Sequence, residues 1–213
     1  MIRACIFDLD GVVVNTARYH FLAWNRLAKE LGFFFSETDN ELLKGVSRMR
    51  SLDILLETGG LDLPVDQKEI LAARKNEWYL EFIRKMSPDE ILPGVTHFLE
   101  LLRAEGIPAA MGTASKNAGL ILKQIGMEHV FDCLIDGYQV THAKPDPEVF
   151  LKAASSMGMA PEQCVVFEDA LAGIEAAHRG GMKCIGVGDP GVLKTADKVI
   201  PGFIEINLNI LLF

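Results

Sequence analysis

No run of this sequence approaches the roughly 20 consecutive apolar residues needed to cross a bilayer, so a helical membrane span is excluded. Positive charge is in deficit: 21 Lys and Arg face 29 Asp and Glu, for a formal net charge of −8. A general nucleic-acid binder gains affinity by releasing counterions from phosphate with clustered cations, so that class is disfavoured. An anionic small molecule remains admissible if local cations or a metal offset the acidic field. Cysteine is sparse and unpaired. Cys5, Cys133, Cys164 and Cys184 form no C-x-x-C motif, and three of them lie in strand-like apolar runs. They are expected to be buried free thiols in a reducing cytosol. The opening MIRACIFDLD carries an acid at Asp8 and no small-residue cleavage site, so it is not expected to be a signal peptide, and the protein is expected to be cytoplasmic.

What is present is a globular composition, 49% apolar and 23% charged. Short, nearly continuous apolar runs at 2–7, 108–111, 164–167, 184–187 and 198–200 read as parallel strands covered on both faces, with 133–135 a weaker strand. Helical patterns at 95–105, 116–125, 147–157 and 170–179 separate them. Gly106, Gly126, Gly158 and Gly180 follow, where left-handed C-terminal caps are expected. Alternating strand and helix predicts an α/β fold with a doubly wound, Rossmann-like parallel sheet.

Residues 16–86 break this rhythm with helical patterns and no convincing strand. A stripe of Ala17, Phe21, Trp24, Ala28 and Leu31 runs along 16–31, Ser36 opens a polar segment, and 51–57 looks helical. The segment 66–86 begins with Asp66 and Glu69 at capping-box spacing. The reading is a discontinuous α/β core, 1–15 and 87–213, with a helical cap inserted at 16–86.

Four polar clusters follow four predicted strands: Asp8-Leu9-Asp10-Gly11, Thr113-Ala114-Ser115-Lys116-Asn117, Lys144-Pro145 and Glu168-Asp169. Taken singly each is ordinary. An Asp after a strand caps a turn, Thr113 or Ser115 caps a helix, and Glu168-Asp169 suits a helix first turn. Open α/β sheets, however, bind ligands at the carboxyl ends of their strands, so the four clusters converge on one place. Four carboxylates gathered there need a cation. Hard oxygen donors, without nearby His or Cys, point to Mg2+. One carboxylate can then attack phosphorus, a second can move a proton, and a hydroxyl and a lysine can hold the phosphoryl oxygens.

The segments FDLDGV, GTASKN, AKPDP and FEDALAGIEAA, in this order, resemble the four motifs of the haloacid dehalogenase superfamily over essentially the whole chain. In the insert, Thr16-Ala17-Arg18-Tyr19-His20-Phe21, Ala23-Trp24, Lys44-Gly45-Val46-Ser47-Arg48 and Arg74-Lys75-Asn76 resemble its β-phosphoglucomutase family. That resemblance implies interconversion of β-D-glucose 1-phosphate and glucose 6-phosphate through an aspartyl-phosphate and β-glucose 1,6-bisphosphate. It implies Asp8 as nucleophile, Asp10 as general acid/base, and Mg2+ held by Asp8, Asp10 (backbone carbonyl), Glu168 and Asp169. Thr113 and Lys144 would orient the transferring phosphoryl. Arg48, Ser115, Lys116 and Asn117 would hold the other phosphate, and Gly45 and Val46 would touch the sugar. His20 would couple substrate binding to closure with Lys75 beside it, while Trp24 would form a pocket wall. The family suggests a monomer. Three positions depart from its pattern: Asn15 replaces an acid, Thr113 replaces a serine, and Lys144 is followed by PDP. The core motifs equally suit a sugar-phosphate phosphatase. A non-catalytic sugar-phosphate-binding protein would have no need of Asp8 and Asp10.

Overall fold

The structure is a computed structural model that describes residues 1–43 and 45–213. Lys44, part of the cap run quoted above, lies outside the described residues. Six strands form one parallel sheet: β1 (Ala4–Phe7), β2 (Ala109–Gly112), β3 (Cys133–Ile135), β4 (Cys164–Glu168), β5 (Lys183–Val187) and β6 (Lys198–Ile200). Their order is β3-β2-β1-β4-β5-β6. Strand order therefore reverses between β1 and β4, the switch point at which open α/β sheets form ligand crevices.

Both sheet faces are covered, which explains the continuous apolar runs. Along β1, Ala4 and Ile6 enter one core cluster and Cys5 and Phe7 the other. Helices α5 (Val95–Ala104) and α6 (Ala118–Gln124) supply buried residues to the second, α7 (Glu148–Ser156) and α8 (Leu171–Arg179) to the first. Phe7 pairs in register with Phe167, and their rings stack with centroids 4.7 Å apart, edged by Phe98. Such aromatic contacts contribute about 0.5–1.5 kcal/mol each beyond area burial. This one locks together the strand ends from which Asp8 and Glu168 emerge.

Between β1 and β2 run α1 (Ala17–Glu30), α2 (Glu37–Glu41), α3 (Arg48–Thr58) and α4 (Val65–Ile83), with α1 and α3 packed on α4. The chain leaves the sheet and returns to it side by side: Val14 and Ile91 form an antiparallel bridge, and Leu92 N–H donates to Val13 O at 2.9 Å.

Local expectations needed correction in three places. The Asp66–Glu69 box is absent. Pro64 is the N-cap of α4 without a side-chain bond, and Asp66 is instead a first-turn acid, favoured by the helix dipole. The capping box sits at Ser36 and Asp39, starting a helix the polar pattern had not announced. Gly106, Gly126 and Gly158 take positive φ, but Gly180 has φ −78 and its neighbour Gly181 makes the left-handed turn at φ 77. All four cysteines are free thiols; Cys5, Cys164 and Cys184 are buried and Cys133 is half-buried.

Candidate active site

β1 delivers Asp8 and the turn after it delivers Asp10. This turn is rigid: Leu9, Val12, Val13 and Val14 are all fully buried, and Asp10 N–H donates to Asp8 Oδ2 at 3.0 Å. Lys144, preceding Pro145 across a cis peptide bond, places its ammonium 2.5 Å from Asp8 Oδ1 and 2.8 Å from Glu168 Oε2. Burial works against the charge on Lys144, but the two carboxylates outweigh it and raise its pKa, so it stays cationic. Glu168 is pushed up to about 8, first by burial and then by Asp8 and Asp169, against the pull of Lys144.

The carboxylates of Asp8, Glu168 and Asp169 bring ligand oxygens within 4.8 Å of one another. Two glycines clear space for them. A Cβ on Gly11, at φ 82, would lie 2.1 Å from Asp169 Oδ2, and one on Gly173 would lie 2.0 Å from Glu168 Cδ. All the donors in this group are hard oxygens. This set fits Mg2+ and does not fit a soft metal.

Asp10 is pushed up to about 7, by burial first and then by the charge of Asp8. Its Oδ1 accepts a hydrogen bond from the Thr16 hydroxyl. Thr16 is the N-cap residue of α1 yet makes no side-chain cap bond, because its hydroxyl is committed to Asp10. Nothing in the sequence of the segment that begins at Thr16 announced this link.

The other wall comes from the insert. His20 Nδ1 lies 3.0 Å from Lys75 Nζ, and that ammonium sits 4.4 Å from the centroid of the Trp24 ring. Trp24 lines the cleft although it is only 1% exposed, and its ring makes this cation–π contact with Lys75. Burial, then Lys75 and Arg48, hold His20 well below the usual histidine range. Burial, then Arg48, hold Lys75 well below the usual lysine range, with Asp10 pulling the other way. A neutral imidazole accepting from Lys75 satisfies both groups.

One cleft of about 340 Å³ joins the two walls. It takes in Asp8, Asp10, Thr113 and Asp169 from the sheet edge and His20, Gly45, Val46, Arg48 and Lys75 from the insert. Ser115, Lys116 and Asn117 also border it. The Thr113 and Ser115 hydroxyls accept from Ser115 N–H and Asn117 N–H, at 3.2 and 3.3 Å, and so shape the β2–α6 turn. Asn117 Nδ2 donates across the cleft to Asn76 Oδ1 at 3.0 Å. Lys144 and Glu168 lie behind this surface, reaching the cleft through Asp8. Two buried polar residues on the insert wall, Asn40 and Ser51, also border the cleft and were not singled out from the sequence.

A sequence model of the haloacid dehalogenase-like hydrolases matches residues 2–181. The chain is 38% identical to the β-phosphoglucomutase of Bacillus subtilis, over 98% of this chain and 93% of that one. It is 33% identical to the fructose-1-phosphate phosphatase YqaB of Escherichia coli, over 85% and 94%. Among solved structures, β-phosphoglucomutase from Clostridium difficile superposes with a TM-score of 0.94 at 37% identity, covering 99% of this chain and 96% of that one.

Proposed function

The chain belongs to the haloacid dehalogenase-like hydrolase family, and on that premise we propose that it is a β-phosphoglucomutase, interconverting β-D-glucose 1-phosphate and glucose 6-phosphate. The observation that carries this reading is the single cleft with a nucleophile at one wall and cations at the other. Within it, residues 1–15 and 87–213 act as the core and 16–86 as a cap hinged at the Val14–Ile91 crossing.

A carboxylate oxygen of Asp8 attacks the phosphorus on C1 of β-glucose 1,6-bisphosphate. The bond from phosphorus to the sugar oxygen breaks, Asp10 gives its proton to the departing oxygen, and glucose 6-phosphate leaves. Asp8 then carries the phosphoryl group as an aspartyl-phosphate. In the second half β-glucose 1-phosphate enters, and Asp10 takes the proton from its 6-hydroxyl, whose oxygen attacks the phosphorus on Asp8 and frees Asp8. This forms β-glucose 1,6-bisphosphate again, which turns round in the cleft to present its other phosphate. A pKa for Asp10 near neutrality suits a group that both gives and takes a proton. Lys144 and Thr113 stabilise the transferring oxygens, and Arg48, Ser115 and Lys116 hold the distal phosphate. Asn117 joins them if its bond to Asn76 opens when substrate enters.

Asp8, Glu168 and Asp169, with the Asp10 carbonyl, would hold one Mg2+. Bound there, the ion supplies positive charge to the anionic nucleophile and phosphoryl oxygens. The protein's own part in keeping water out is the cap wall, where the paired His20 and Lys75 line the same cleft as Asp10. We read the enzyme as a cytoplasmic monomer whose partner is a small-molecule sugar phosphate.

A sugar-phosphate phosphatase would use the same Asp8 and Asp10. The test is a coupled assay with β-glucose 1-phosphate, Mg2+ and a trace of bisphosphate primer. Glucose 6-phosphate formed well ahead of free phosphate supports the mutase. Phosphate release outrunning isomerisation assigns the phosphatase instead.

A further inference from the structure

Helix α2 is only five residues long, Glu-Thr-Asp-Asn-Glu, and has no apolar stripe to fix it in place. The Ser36–Asp39 capping box holds it: Asp39 N–H donates to Ser36 Oγ at 3.1 Å, and Ser36 N–H to Asp39 Oδ2 at 2.8 Å. One residue later the chain buries an amide side chain. Asn40 is 6% exposed and borders the cleft. Its Oδ1 is buried with no hydrogen-bond partner among the described residues.

Leaving a buried acceptor unpaired costs about 1–3 kcal/mol, and folded proteins rarely tolerate it without a reason. The chemistry of the missing partner is restricted. An amide oxygen needs a donor. A phosphate monoester near neutral pH is largely a dianion that offers acceptors only. Among the described cations that line the cleft, Lys75 faces His20, and Arg48 and Lys116 are the ones read above as holding the distal phosphate. A sugar hydroxyl supplies the donor, and it can accept from the Asn40 amide N–H in return.

We propose that Asn40 is a specificity-determining residue that hydrogen-bonds one ring hydroxyl of the sugar, so that the cap reads the sugar as well as its phosphate. This rests on the sugar-phosphate reading above. Substrates with that hydroxyl relieve the orphaned oxygen, whereas analogues without it leave it buried and unpaired. Discrimination of this kind exceeds what apolar packing supplies.

The test is a cycle of two changes. Wild type, Asn40→Ala and Asn40→Asp are assayed for kcat/KM on β-glucose 1-phosphate and on its 2-, 3- and 4-deoxy analogues, with glucose 6-phosphate analogues and free phosphate followed together. Asn40→Ala is expected to lose about 10- to 100-fold on the natural substrate. On the one analogue that lacks the contacted hydroxyl, it should equal wild type within about twofold. Asn40→Asp keeps an acceptor and should keep the wild-type ranking of analogues, whatever its overall rate. It also covers the case in which the alanine variant does not fold. An equal loss on all four sugars, or a ranking lost in both variants, assigns Asn40 a structural role and overturns the proposal. A wild type that releases phosphate without isomerising contradicts the mutase, and the same cycle is then read on phosphate release. A wild type that turns over none of these sugars contradicts both.

Discussion

The ammonium of Lys144 lies 2.5 Å from Oδ1 of Asp8, with both side chains buried and 136 residues between them in sequence. The same ammonium contacts Glu168 at 2.8 Å, so it neutralises the two acids that flank the sheet's switch point. Removing it leaves two buried carboxylates uncompensated, a change that costs about 3–5 kcal/mol when a buried pair is broken. Lys144→Met is therefore expected to lower Tm markedly in chelator and to recover part of the loss in excess Mg2+. Its kcat should fall by roughly 100-fold or more even with the metal, because a charge that stabilises the transferring phosphoryl has gone. Melting curves with and without Mg2+, alongside kcat, check both halves.

Gly173 occupies the first turn of α8, where alanine would ordinarily favour the helix by about 1 kcal/mol. Here a Cβ would meet the Glu168 carboxyl at 2.0 Å, and that residue is fully buried. Gly173→Ala is expected to destabilise the protein and weaken Mg2+ binding, opposite in sign to helix propensity. Calorimetric titration of Mg2+ and a denaturant melt measure the two effects. A stabilised variant with unchanged metal affinity would contradict the packing described.

Thr16 gives its hydroxyl to Asp10 and none to the end of its own helix. Thr16→Val keeps the shape and removes the bond. The expected result is a fall in kcat of about tenfold, since a proton-transferring group loses its orientation, with little change in Tm. A normal kcat accompanied by a frayed α1 would assign Thr16 to helix capping instead.

His20 is held well below its ordinary pKa by burial and by the charges of Lys75 and Arg48. Below the ordinary histidine value, near 6.5, the unfolded chain binds a proton that folded His20 refuses. This one group therefore makes stability rise with pH up to that value and fall as the pH drops beneath it. Nitrogen-15 NMR of the imidazole should show no titration between pH 8 and 5.5, and His20→Gln should flatten the pH dependence of stability over that window. A His20 midpoint near 6.5 would contradict the buried pairing with Lys75.

The sheet was legible in the sequence because strands covered on both faces, such as Cys164–Glu168, read as unbroken apolar runs. The acids drew notice because two pairs of them follow strands β1 and β4 at one sheet edge, where singly each could equally cap a turn or a helix. What escaped was set by contacts between distant segments. α2 has too few residues for periodicity and owes its place to a two-residue capping box. The orphaned oxygen of Asn40 exists only because the cap wall buries it. Asp66 matched a capping pattern, but Pro64 had already begun the helix. The Thr16–Asp10 bond depends on how the turn at Gly11–Val14 folds back, which i, i+4 spacing does not encode.

The central claim is that one phosphoryl group passes through Asp8 and returns to a sugar rather than to water. A phosphorus-NMR time course with β-glucose 1-phosphate, Mg2+ and primer, run on wild type and Asp8→Asn, tests it most directly. Wild type is expected to give transient bisphosphate and accumulating glucose 6-phosphate with little free phosphate, and Asp8→Asn to give neither product. Isomerisation surviving in Asp8→Asn, or free phosphate as the main product of wild type, would contradict it.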